Sequence, residues 1–349
     1  MLAARGFFKS TRISNRFFAK KSVKNLTNDD VDVLTNPSDE YVDSFMKYHG
    51  NGRAVFKRED LAQWRDSFPD YKFKVISLKG APRVIATAHL CTFRPIDPSI
   101  NKSIMFMGFG WIDPGFRSPG TAKLQNDMCR VEMDREDDNI VSQINQPAKN
   151  FWHKLSKRKE FLDLGHKAGD VGYKTFYSAH DVVLPENLDL SGITVKNARE
   201  VPKRDIINYD QTIHPYHREK YIISHMYDRD GFGKVAYDEE GNVIGIGQAV
   251  IYENRKDCNL GPIYAENTRV AQAMFAEILK DIKASEKTVV SFEVRSGQLN
   301  KDSFCWLTPF LTHKPTRSHV CNLVYTDCVP ENIDFSKVYS PTHAQLFMV

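Results

Sequence analysis

The sequence predicts an α/β (α+β) fold of two tandem units, each a mixed, mostly antiparallel sheet flanked by helices. Three observations predict it. The order helix, helix, hairpin, strand–helix, strand, helix, strand can be read twice along 349 residues, a length that suits two domains better than one. A stretch with one proline near its start, LPENLDLSG at 184–192, separates the two runs. In each run a strand passes into a helix through a turn bearing Pro and Gly, WIDPGFRSPGTAKL at 111–124 and NLGPIYAENT at 259–268. The expected organisation is a targeting segment over 1–28, a first unit over 29–183 and a second over 191–349.

In the first unit, the polar stretch 27–50 reads as helical, including NPSDEYVDSFMKYHG. A second helix, REDLAQWRDSF, stops before Pro69, because proline disfavours helix in the residue before it. YKFKVISLKG and PRVIATAHLCTF alternate like strands and are joined by a turn at Lys79–Pro82. The apolar strand SIMFMGFGWI leads into the 111–124 junction, and a helix follows to about Arg135. NIVSQI reads as a strand, QPAKNFWHKLSKRKEFLDL as a helix and GYKTFYSAHDVVL as the closing strand.

The second unit repeats this outline. VPKRDIINYDQTI and HREKYIISHMYD read as helices, and FGKVAYDEEGNVIGIGQAVIY as a hairpin turning at EEGN. DCNLGPIYA is the strand before the turn. NTRVAQAMFAEILKDIKAS carries apolar residues at helical spacing, the mark of a core helix. KTVVSFEVR and SHVCNLVYTD are the last two strands.

Composition narrows the function classes. The formal charge is +4, but Arg5, Lys9, Arg12 and Arg16 account for all of it, and no acidic residue precedes Asp29. A basic, acid-free, amphipathic start of this kind is the pattern of a mitochondrial transit peptide. RFFA at 16–19 offers a matrix-protease cut after Phe18. The expected location is the mitochondrial matrix, with the cytoplasm as alternative. With residues 1–18 removed the formal charge falls by four, from +4 to zero, which argues against nucleic acid as a partner. No apolar run approaches the roughly 20 residues of a membrane-spanning helix. The six cysteines are scattered, with no CxxC and no zinc spacing, so reduced thiols and no metal are expected. His214 and His217 in HPYHRE have metal-like spacing but no third ligand nearby.

The junction carries the functional signal. A strand entering a helix through a glycine-bearing turn aims backbone N–H groups and a helix dipole at one spot, which suits a phosphate. Arg117 could pair with that phosphate. Gly120 allows close approach, Ala122 keeps the next turn clear, and the hydroxyls of Ser118 and Thr121 are further donors. There is no Walker lysine, and GFGWID fails the dinucleotide fingerprint at its third glycine.

What fits is Arg117-Ser118-Pro119-Gly120-Thr121-Ala122, an Arg-x-x-Gly-x-Ala loop. With NQPAKNFWHKL at 145–155, it resembles the GNAT superfamily of N-acetyltransferases. The second unit, through GPIYA and its long helix, resembles the C-terminal domain of some bacterial members, and the whole resembles nematode-type proteins with two such domains. The resemblance implies an acyl-CoA cosubstrate, with Trp111, Ile112 and Asp113 along the pantetheine arm. It puts the pyrophosphate on Arg117, Ser118, Pro119, Gly120, Thr121 and Ala122, and Asn145 beside the arm. It also implies transfer of the acyl group to a primary amine, on a small molecule or a protein lysine. The second unit lacks the loop.

Acyl transfer to an amine needs a proton acceptor, an oxyanion donor and a proton for the leaving thiolate. Where the family often keeps a tyrosine for the last step, this sequence has Trp152, whose indole N–H donates a hydrogen bond but does not ionise. Candidate replacements are Tyr173, Tyr177 and His180 on the closing strand and His89 on the third. Each competes with the plainer reading of a packed strand residue. Glu293 on SFEVR could face the cleft of the second unit; Glu132 and Asp134 on the helix after the junction read as solvated. The leading expectation is an acetyl-CoA- or acyl-CoA-dependent N-acyltransferase. The alternatives are a non-catalytic CoA-binding or interaction protein and a glycine-conjugating type of acyltransferase.

Overall fold

The structure, a computed structural model, describes residues 26–49, 57–99, 102–131, 139–145, 150, 154, 167–252 and 256–342. The leader expected over 1–28 lies outside them except for its last three residues. The helix expected over 146–164, with Trp152, lies outside them except for Asn150 and Lys154.

The first unit runs β1 (Val31–Thr35), α1 (Asp39–His49), α2 (Arg58–Ser67), β2 (Lys72–Leu78), β3 (Val84–Phe93), β4 (Ile104–Ile112), α3 (Pro119–Arg130), β5 (Asn139–Asn145) and β6 (Ala168–Ser178). The second runs β7 (Thr194–Asn197), α4 (Lys203–Ile213), α5 (Glu219–Ile223), β8 (Phe232–Tyr237), β9 (Val243–Tyr252), β10 (Asp257–Ala265), α6 (Thr268–Ala284), β11 (Ser291–Gly297), β12 (Arg317–Tyr325) and β13 (Val338–Ser340). Two edge strands depart from the sequence reading. Val31–Thr35, taken as part of a helical stretch, pairs antiparallel with β2 from Val31↔Leu78 to Thr35↔Lys74. Thr194–Asn197 pairs with β8 in the same manner. Both are short alternations in polar surroundings, and an open strand edge decides their state where local periodicity is weak.

The strands form one sheet in the order β1-β2-β3-β4-β5-β12-β6-β11-β10-β9-β8-β7, with β13 paired to β10. The two units therefore mirror each other about the β12–β6 pair, and each has given its closing strand to the seam. β12 of the second unit lies against β5 of the first, with Cys321 opposite Asn145. β6 of the first unit lies against β11 of the second, with Lys174 opposite Arg295. The stretch 184–192, expected as a linker, lies between β6 and β7 along the chain, yet the hydrogen-bonded sheet passes through both units without a break. Among the described strands, β4–β5 and β10–β11 are the parallel pairs.

One face of the sheet is covered by α1, α2, α4 and α5, whose Phe45, Trp64, Tyr209 and Tyr221 pack with Phe106, Val141 and Leu323 of the strands in a continuous core. On the other face α3 packs through Leu124 and Met128, and α6 through Val270, Met274 and Phe275. Truncating a wholly buried ring such as Trp64 or Phe275 costs on the order of 3–5 kcal/mol, so both layers bear on whether the seam stays closed. Ser118 caps α3 and Asn267 caps α6, each side chain accepting a backbone N–H of the first turn.

Candidate functional site

β4 and β5 pair in parallel only from Ile104↔Asn139 to Met107↔Ser142. Beyond that level no ladder bond joins them, and the strands part. On its other side β4 carries a bulge: His89 is opposite Gly108 and Thr87 opposite Trp111, so Phe109 and Gly110 stand against Ala88 alone. Gln125, buried on α3, holds this irregularity by donating its Nε2 to the Thr87 carbonyl at 2.6 Å and to the Trp111 carbonyl at 3.2 Å.

The end of β4 is tied down by Asp113. Its Oδ1 accepts the Gly115 N–H at 2.7 Å, its Oδ2 pairs with Arg83 at 2.6 Å, and its own N–H goes to the Ile85 carbonyl at 2.8 Å. The Arg83 guanidinium carbon in turn lies 3.5 Å from the ring centre of Tyr48 on α1. Arg83 and Gln125 escaped the sequence reading, because nothing local to either marks a contact 30 or more positions away.

At the start of α3, Ser118 Oγ accepts the Thr121 N–H at 3.1 Å and meets Thr121 Oγ1 at 3.0 Å. The Ala122 N–H goes to the Ser118 carbonyl at 3.0 Å. Both hydroxyls, expected to face a ligand, are thus buried and satisfy one another. Pro119 has no N–H. Among the described residues, the N–H groups of Arg117, Ser118 and Gly120 are the ones at this helix start that donate to no protein group. Exposed Arg117 bonds the Ile112 carbonyl through Nε at 3.2 Å, which lays its side chain along the junction. Three open amides, a helix N-terminus and a cation form a donor set that suits a pyrophosphate.

Trp111 is a core residue, with its ring 5.8 Å from Phe45. Asn145 ends β5. Tyr173 and Tyr177 lie on β6, three strands from β4 and so about 14 Å across the sheet. Tyr173 packs edge-on to Phe304 at 5.5 Å, and Tyr177 packs with the α6 cluster, where burial pushes its phenol pKa up. His180 is exposed beside Asp181. These three come neither to the split nor to one another. His89 is wholly buried, with Nδ1 3.3 Å from the Tyr71 hydroxyl and its ring 5.5 Å from Trp64.

The second unit has the corresponding split between β10 and β11, whose parallel pairing ends at Asn259↔Glu293. Here the chain's own C-terminal segment fills it. β13 pairs with β10 through Ile263↔Ser340 and Tyr264↔Val338. Ser340 Oγ donates to the Leu260 carbonyl at 2.5 Å and accepts the Arg295 N–H at 3.2 Å, so it bridges both lips. A Cβ on Gly261 would come within 1.9 Å of the Pro341 carbonyl oxygen. Among the described residues, then, a segment fills the second split and none fills the first.

At the seam, Glu293 is fully buried and faces Lys174 Nζ at 2.7 Å and Arg295 Nη2 at 3.2 Å. Arg295 also reaches Gln143 of β5 at 3.5 Å. Burial would raise the Glu293 pKa, but the two cations more than offset it and hold the carboxyl below its usual range. Among the described residues no three His, Cys, Asp or Glu side chains converge as a metal site would. His214 is buried against Tyr264, whereas His217 is exposed beside Glu219. No described helix is long and apolar enough to cross a membrane.

Residues 28–213 match the family model described as "Protein of unknown function (DUF1248)", which spans more than half of the chain. The chain belongs to the DUF1248 family. A second model, described as an acetyltransferase (GNAT) domain, matches residues 206–298 of this DUF1248 protein. No curated protein matches it. Among solved structures, a candidate acetyltransferase from Pyrococcus horikoshii superposes with a TM-score of 0.58 at 16% identity, covering 92% of this chain and 97% of that one. A tandem GNAT protein of the clavulanic acid biosynthesis pathway gives 0.56 at 11% identity, over 86% and 100%. Saccharomyces cerevisiae N-myristoyltransferase with bound myristoyl-CoA gives 0.56 at 9% identity, over 92% and 86%. At these identities the likeness is one of fold: this DUF1248 chain is a tandem GNAT fold.

Proposed function

We propose that the protein is an acyl-CoA-dependent N-acyltransferase, with acetyl-CoA or another acyl-CoA as cosubstrate and a primary amine, small or on a protein lysine, as acceptor. One observation carries the choice of site. Of two pseudo-equivalent splits, that of the second unit is filled by residues 338–342, while β4 and β5 part with no described segment between them.

The roles follow from the donor set. The N–H groups of Arg117, Ser118 and Gly120 and the α3 dipole would hold the pyrophosphate, with the Arg117 guanidinium beside them. The edge Trp111–Asp113 would lie along the pantetheine arm, with Asn145 across the split. Acyl-CoA supplies a thioester whose carbonyl the amine attacks; the acyl carbon–nitrogen bond forms, the carbon–sulfur bond breaks and the thiolate leaves protonated. Backbone groups at the Phe109–Gly110 bulge would stabilise the oxyanion. Tyr173, Tyr177 and His180 have no contact with this split, and the reading does not rest on them.

Calorimetric titration with acetyl-CoA tests the site. The expected result is one binding event per chain, abolished by Gly120→Glu, which sets a carboxylate against the open amides. No heat with the wild type, or full affinity in the variant, would sink the reading. A second reading, CoA binding without turnover, is favoured by the distance of both tyrosines from the split. Steady thiol release with any amine overturns it.

A further inference from the structure

Resting on that reading, we infer that the second unit completes the first unit's site and that the acceptor carries a carboxylate, bound by Arg317. The strand exchange sets β12 directly against β5, with Cys321 opposite Asn145. From Cys321, β12 continues through His319 to Arg317 in the direction in which β4 and β5 part. Strand rise puts His319 about 7 Å and Arg317 about 14 Å beyond the Cys321 level. Alternation puts both side chains on the face of Leu323, which is the face of α1, α2 and Trp111.

The side chains there are arranged for an anion. The Arg317 guanidinium carbon lies 3.8 Å from the ring centre of buried Phe176. Lys174 Nζ lies 5.1 Å from the same ring, and the His319 ring stands edge-on to it at 6.2 Å. Charges in this cluster do not balance. Lys174 and Arg295 share Glu293; Arg317, exposed, makes no ion pair with any described residue. A guanidinium stacked on an aromatic ring keeps its fork of N–H donors open and loses little freedom on binding, which favours bidentate capture of a carboxylate.

The counterpart in the second unit offers no such place. Around Asp170 of β6 and Arg295 of β11, Phe335, Val338 and Pro341 close the sheet down to a cavity of about 30 Å³, room for a water molecule and no acceptor. The phosphate-binding features of α3 lie against the opposite face of the sheet, so Arg317 is placed for the acceptor and not for CoA.

The test compares thiol release from acetyl-CoA with glycine, γ-aminobutyrate and Nα-acetyl-lysine, each against its own carboxamide. At least one acid is expected to exceed its amide ten-fold or more in kcat/KM. Arg317→Gln should raise the KM of that acid ten-fold or more, leaving kcat and the amide's rate within two-fold, and Arg317→Lys should restore part of the preference. Equal rates for acid and amide in all three pairs, no turnover of any of the six by a protein that binds acetyl-CoA, or an unchanged ratio in Arg317→Gln overturns the inference. So does a variant that loses affinity for acetyl-CoA instead. A second measurement needs no acyl-CoA: calorimetry with the N-acetylated acids should show binding to wild type and at least ten-fold weaker binding to Arg317→Gln. Missing acetyl-CoA affinity overturns the proposed function, whereas missing Arg317-dependent acid binding overturns this inference.

Discussion

Asp60 on α2 of the first unit is ion-paired with Arg229 of the second, with both side chains at least nine-tenths buried. Arg229 also donates to the Tyr252 hydroxyl on β9 at 3.2 Å, so one guanidinium joins a helix of one unit to a strand of the other. Breaking a buried pair leaves an uncompensated charge and costs roughly 3–5 kcal/mol. Asp60→Ala and Arg229→Met should each lower urea stability by about that amount, and the double variant Asp60→Leu/Arg229→Met by much less than their sum. Strictly additive losses would show that the pair does not couple the units.

Ser340 makes a complementary case. Replacing it with Ala leaves the Leu260 carbonyl and the Arg295 N–H short of their bridge, at about 1–3 kcal/mol. Acetyl-CoA affinity should stay within two-fold, because the proposed binding split is the other one. Parallel denaturation and calorimetry measure both; a several-fold change in affinity would move the site to the second unit.

Glu293 predicts a pH dependence. Its folded pKa lies below the unfolded one, so its stabilisation is complete above about 4.3, the ordinary glutamate value, and is lost as pH falls through the lower folded value. Glu293→Gln should therefore be markedly less stable than wild type at neutral pH, and the gap should narrow as pH drops below about 4. A gap of constant size in urea midpoints across that range would rule out the charge as its source.

The expected leader can be tested by itself. Residues 1–28 fused ahead of a fluorescent protein should direct it to mitochondria, and replacing Arg5, Lys9, Arg12 and Arg16 by Gln should leave it diffuse. Mitochondrial import of the Gln variant would refute the charge-based reading.

Legibility in the sequence followed the range of the interactions. Ser118, Pro119 and Gly120 could be read as a helix start because capping and fixed φ act within a few residues. Glu293 could be singled out as a strand carboxylate, but its partner Lys174 lies on a strand of the other unit and could not. Val31–Thr35 did not stand out, since five residues carry too little periodicity. Arg83 and Gln125 could not, since each acts through a partner on a distant strand. The hydroxyls of Ser118 and Thr121 were read as ligand donors because sequence shows a hydroxyl's presence and not its direction.

By itself, then, the sequence determined two runs of helix, helix, hairpin, strand–helix and strand, though not the further helix of the second run, where only short 3-10 turns lie between β11 and β12. It also determined a phosphate-suited junction in the first, and all of this came from local periodicity and turn chemistry. Tertiary structure alone decided that β6 and β12 change places, that residues 338–342 close the second split, and that Arg317 stacks on Phe176 of the first unit. The reason is physical. Backbone ladder bonds are the same for every sequence, so a strand's neighbour is chosen by side-chain packing over the whole sheet.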